Sequence, residues 1–159
     1  MLLTVTVWRG VGLRKKSSRK PYLGYSDRTT VKLDFDGEQF KKVRYWAERA
    51  LKHFRLGGYV ILKSSRDHYH VLFNKTVSWE ENCRAMAWVA VLSGNAGLRK
   101  WVLIQLIKGS STLRVSCKGD KASPRIVFSE GSRDREIAAF KRWRELIKKA
   151  DRKRRTLLS

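Results

Sequence analysis

Between residues 29 and 74 the apolar residues change period twice, and this narrows the chain to few folds. Over residues 29–36 they alternate, as in a half-buried strand. From about Glu38 to Phe54 they switch to helical spacing, with Phe40, Val43, Ala47, Ala50, Leu51 and Phe54 on one face, and Gly57 and Gly58 end the run. Alternation returns over residues 59–64 and 69–74, separated by the polar turn Ser65, Arg66, Asp67, His68. A strand, a helix and a strand pair in this order predict a helix laid over a sheet.

The rest of the chain extends the pattern. Residues 2–8 read as a strand and residues 9–28 as a basic loop. Ser78, followed three residues later by Glu81, is a capping-box pattern that opens a helix running through Met86, Trp88 and Val91 to a break at Gly94. Residues 101–107, 112–116 and 125–128 read as strands. A last helix over residues 134–149 carries the stripe Ile137, Phe140, Trp143, Leu146 and Ile147, and residues 150–159 form a basic, frayed tail. With no internal repeat and no domain-sized linker, residues 1–159 are expected to form one domain. The fold class expected is α+β, a mainly antiparallel sheet (an RRM-like core) covered by about three helices.

Composition says what such a domain would meet. There are 36 Lys and Arg against 14 Asp and Glu, so the formal charge is 36 − 14 = +22. That excess attracts polyanions, and nucleic acid is the expected partner. The chain is still 42% hydrophobic and 11% aromatic, which separates it from a disordered basic tail. Its longest apolar run, residues 85–92, is too short to span a bilayer, and residues 1–8 lack the start of a signal peptide, so a cytoplasmic protein without membrane contact is expected. Cys83 and Cys117 are the only cysteines, too few for a disulfide framework or a four-cysteine zinc site. There is no glycine-rich phosphate loop and no Ser-His-Asp order.

Two constellations carry chemistry. In Val31-Lys32-Leu33-Asp34-Phe35-Asp36-Gly37 the carboxylates stand at i and i+2, on one strand face about 6–7 Å apart along the chain. Hard oxygen ligands of this kind suit magnesium or manganese. On bland grounds the same pair is a solvated Asp-Gly turn. The second constellation, Lys63-Ser64-Ser65-Arg66-Asp67-His68-Tyr69-His70, offers cations, hydroxyls and imidazoles, the donors that a triphosphate needs. It also reads as an ordinary polar hairpin, or as a metal-binding histidine pair, because His68 and His70 share a strand face.

Together these motifs resemble the catalytic core of the archaeo-eukaryotic primase superfamily, which includes primase-polymerases of archaeal plasmids and viruses. The resemblance lies in the hydrophobic-Asp-hydrophobic-Asp strand and, after one helix, a strand leading through Ser65 to Tyr69-His70-Val71. It covers roughly residues 29–128. It implies Asp34 and Asp36 as ligands of Mg2+ or Mn2+, and Ser65 and His70 as contacts of the incoming nucleotide, with Lys63 and Arg66 as supporting cations. Asp34, Asp36 and His70 would then be the catalytic residues. Ser111-Thr112-Leu113-Arg114-Val115-Ser116 is similar to a late Leu-Arg-x-Pro-Gly segment of the family, without its Pro-Gly, and implies Arg114 at the phosphates. The family's third carboxylate has no counterpart in residues 101–111, which contain Gln105 and Lys108 but no acid. Implied partners are nucleoside triphosphates, DNA (single-stranded or template-primer) or RNA, and other replication subunits.

The basic loop, with Arg14, Lys15, Lys16, Arg19 and Lys20, is the expected nucleic-acid grip, and Trp8, Tyr22 and Tyr25 flank it as candidates for base stacking. Two rival readings use the same residues. His68-Tyr69-His70-Val71 matches a His-hydrophobic-His replication-initiator nickase, but all five tyrosines lie at or before that motif, where such enzymes need one beyond it. A non-catalytic, basic replication accessory protein would account for the charge without an active site.

Overall fold

The computed structural model describes residues 24–118, 121–131 and 145. Its elements, in order, are β1 (Gly24–Asp27), β2 (Thr30–Asp36), α1 (Phe40–Phe54), β3 (Gly58–Ser65), β4 (His68–Thr76), α2 (Trp79–Leu92), α3 (Ala96–Lys108), β5 (Ser111–Arg114) and β6 (Arg125–Gly131). Among the described residues, three helices accompany a four-stranded antiparallel sheet, order β2-β4-β3-β6, and a two-stranded one, β1-β5. The α+β class with helices over an antiparallel sheet is thus what the periodicity predicts. The expected strand over residues 2–8, most of the basic loop with Arg14, Lys15, Lys16, Arg19 and Lys20, the helix over residues 134–149 and the basic tail lie outside the described residues, apart from helical Glu145.

Two expectations are corrected. Residues 101–107 are not a strand but the second half of α3. Only Leu98, Val102 and Gln105 are buried along this helix, and Leu103 and Ile107 are exposed, so the apolar run has no helical period to read. The legible signals were its ends: Asn95 caps the start by accepting from Leu98 N at 2.7 Å, and Gly109, at φ 74, stops it. The end of the expected loop, Gly24–Asp27, is a strand, paired from Gly24↔Arg114 to Asp27↔Ser111. A four-residue strand has too few positions to show alternation.

The main sheet has two unlike faces. Val31, Leu33 and Phe35 of β2, with Ile61, Val71 and Phe73, turn to the helices and meet Val43, Ala47, Met86 and Leu98 in the larger core. Val60, Leu62 and Leu72 turn the other way and pack with Leu113 and Val115 beneath the small sheet. The capping box at α2 forms as predicted: Ser78 Oγ accepts from Glu81 N, and Glu81 Oε2 accepts from Ser78 N. Among the described residues no helix is long and apolar enough to cross a membrane.

Candidate functional site

The second face of β2 carries Lys32, Asp34 and Asp36. β1 and β5 cover only part of it, so burial falls along the row: the side chains are 0% exposed at Lys32, 22% at Asp34 and 57% at Asp36. Lys32 is the closed end. Its ammonium lies 2.8 Å from Asp27 Oδ1 and donates to Ser111 Oγ and Thr30 O, which ties the two sheets together. Burial pushes its pKa down to about 8 against the opposing pull of Asp27. The strand period alone puts Lys32 on this face, but an isolated lysine gives no sign that a second sheet will seal it in.

Toward the open end, the antiparallel register sets each acid opposite a histidine. Asp34 pairs with His70 and Asp36 with His68. His70 Nε2 lies 3.4 Å from Asp34 Oδ1, and His68 Nδ1 lies 2.6 Å from Asp36 Oδ1. On the far side of β4, a register shift in β3 between Lys63 and Ser65 brings Ser65 opposite His68. Asp36, His68 and Ser65 therefore make one cross-strand row, and Asp34, His70 and Leu62 the next.

The remaining predicted residues divide. Arg114 comes in from the end of β5, where its guanidinium donates to Ser64 O, Ser116 O and Ala122 O and acts electrostatically on both Asp34 and His70. Lys63 does not join the cluster. It pairs with Tyr69, a residue of the helix-side core, and its ammonium lies 5.9 Å from the centre of that ring. Arg66 sits on the hairpin turn with its side chain 96% exposed, 3.7 Å from Asp67. Lys118 also acts on Asp34, a neighbour that sequence reasoning missed because Lys118 lies in an irregular segment held by paired backbone bonds with Lys121.

Burial, and then the neighbouring Asp36, push the Asp34 carboxyl up to about 7. Burial, then Arg114 and His68, push His70 down to about 3, so its imidazole is neutral at physiological pH. A desolvated carboxylate beside a second one is relieved by a divalent cation. Magnesium is held characteristically by one or two carboxylates, with water and substrate phosphates supplying the rest of its shell. Asp34 and Asp36 fit that donor set. Among the described residues no group of three or more His, Cys, Asp and Glu forms a ready metal cage, so a cation here would need outside oxygens.

Asp36 is also seated from behind by α3. Asn95 Nδ2 donates to Asp36 O at 3.1 Å, while its Oδ1 caps the helix. Two residues on, Gly97 lets the first turn approach β2 so closely that a Cβ there would stand 2.7 Å from Asp36 Cβ. Neither role was legible beforehand, since both depend on where α3 docks. No protein-family model, curated protein or solved structure matches this chain.

Proposed function

We propose that this domain is a metal-dependent nucleotidyltransferase-like domain of the archaeo-eukaryotic primase type, acting on a nucleic-acid template in primer synthesis or extension. The observation that carries the reading is the pairing of Asp34 with His70 and of Asp36 with His68, with Ser65 next along the same cross-strand row, on one open-ended sheet face. Asp34 and Asp36 would hold Mg2+ or Mn2+. The cation supplies charge neutralisation at the triphosphate and activation of the attacking hydroxyl. Neutral His70, the Ser65 hydroxyl and Arg114 are the donors for the phosphates, and the chain's +22 charge favours a polyanionic template. Nucleoside triphosphates, DNA or RNA, and companion replication subunits follow as partners of this reading.

The test is a primer-synthesis and primer-extension assay with Mn2+ or Mg2+, comparing wild type with Asp34→Ala. Product from the wild type that disappears in the variant supports the reading. No wild-type product, with nucleic-acid binding intact in both, would leave a non-catalytic binding protein. The sharing of this face by His68 and His70 also suits a His-hydrophobic-His nickase, and a covalent protein–DNA adduct would decide for that enzyme.

A further inference from the structure

The side of the sheet opposite the acids bears an aromatic row of its own. Along α1, Lys41, Tyr45, Arg49 and His53 recur every fourth residue and form one exposed stripe. Tyr45 is 51% exposed and its ring meets that of Trp46 at 5.1 Å, with the Arg49 guanidinium 5.9 Å from the Tyr45 centroid. Trp46 in turn meets Trp88 of α2 at 6.2 Å, and His53 stacks flat on Trp88 at 4.7 Å and 10°. Arg84, one turn before Trp88, is exposed on α2. The one acid within α1, Glu48, is engaged by Arg44 at 2.8 Å.

We propose that this outer face of α1 and α2 is a second binding surface, one that takes single-stranded nucleic acid. Cations spaced between exposed and half-buried rings match a strand whose phosphates alternate with unpaired bases, which can stack on the rings. A duplex keeps its bases stacked internally and would gain only the charge contacts. An acidic protein segment would use the cations and leave the ring faces idle. Because β2 sends Val31, Leu33 and Phe35 toward these helices and Asp34 and Asp36 away from them, a strand bound here lies on the far side of the sheet from the acids. This surface would hold template without entering the reaction, and it stands whether or not the acids bind metal.

The test needs neither metal nor nucleotide. Fluorescence anisotropy would follow the full chain binding a labelled oligothymidylate and a labelled duplex at several salt concentrations. Tyr45→Ala should weaken oligothymidylate binding about tenfold and leave the duplex unchanged, while Tyr45→Phe should match wild type. Arg49→Gln should weaken both and reduce the salt slope by about one. Since Tyr45 is half exposed, an unchanged melting temperature is expected and would exclude unfolding as the cause. Equal loss on both ligands from Tyr45→Ala, no loss on either from that variant, or a Tyr45→Phe variant as weak as Tyr45→Ala would overturn the proposal.

Discussion

Replacing Gly97 by Ala puts two physical effects in direct opposition. Gly97 lies in the first turn of α3, and in a helix Ala is ordinarily better than Gly by about 0.5–1 kcal/mol. Here, however, the added Cβ would stand 2.7 Å from Asp36 Cβ and 3.4 Å from Asp36 O. Carbon atoms in good contact are about 3.5–4 Å apart, so the helix and the end of β2 must separate by about 1 Å. Asn95, bonded to Asp36 O from the same turn, resists that movement. Overpacking of this kind costs about 1–3 kcal/mol, so Gly97→Ala should be less stable than wild type by about 1–2 kcal/mol despite its better helix propensity. The same displacement shifts Asp36 relative to Asp34, so the cation proposed to lie between them would bind less tightly. Thermal melting and Mn2+ titration calorimetry read the two consequences separately. A variant that melts higher than wild type and binds Mn2+ as tightly as wild type would refute the reasoning. A wild type that binds no Mn2+ would instead refute the metal reading of Asp34 and Asp36, leaving the melting result to judge the contact alone.

Other consequences follow from the same face. Asp34 rises from 3.8 to about 7 on folding, so the folded chain holds a proton that the unfolded chain has released, and stability should fall as pH climbs through that window. Asp34→Asn should flatten this dependence and stabilise the metal-free protein at pH 8 by an amount on the order of a few kcal/mol, as measured by chemical denaturation at a series of pH values. Lys32→Met strips the Asp27 carboxylate of its cation between the sheets. Since Asp27 keeps bonds from Thr29 N, Thr30 N and Thr30 Oγ1, the loss should be about 1–3 kcal/mol, below the usual cost of breaking a buried pair, and the double variant Lys32→Met/Asp27→Asn should recover part of it. Ser78→Ala, which removes half of the α2 capping box far from the acids, should cost about 1 kcal/mol and leave Mn2+ binding unchanged.

What could be read in advance was local. The alternation of β2 needs only seven residues to declare itself, and it placed Asp34 and Asp36 on one face. The helical period of α1 and the Ser78–Glu81 box were equally self-contained. Contacts between segments distant along the chain were not legible: Gly24–Asp27 becomes a strand only because Ser111–Arg114 lies beside it, and Lys32 is buried only because that pair of strands crosses its face. α3 failed for a different reason. Its Trp-Val-Leu-Ile-Gln-Leu-Ile run is apolar on nearly every side, so the pattern favoured a buried strand, and the caps Asn95 and Gly109 went unread. The shift in β3 that sets Ser65 opposite His68 is likewise invisible in a string of residues, though it decides which hydroxyl faces the acids.

The partial cover of that face has a chemical consequence. If β1 and β5 extended over the whole row, Asp34 and Asp36 would be as enclosed as Lys32 and would need fixed cations, as Asp27 supplies a fixed anion to Lys32. If the small sheet were missing, both acids would be hydrated and neither would gain from a metal beyond ordinary surface attraction. The cover stops instead between Lys32 and Asp36, leaving Asp34 at the boundary: desolvated enough to be driven up to about 7, yet beside a carboxylate that is more than half exposed. A carboxylate at such an edge favours a ligand that brings its own charge and its own oxygen shell, and a divalent cation carried on a triphosphate has both.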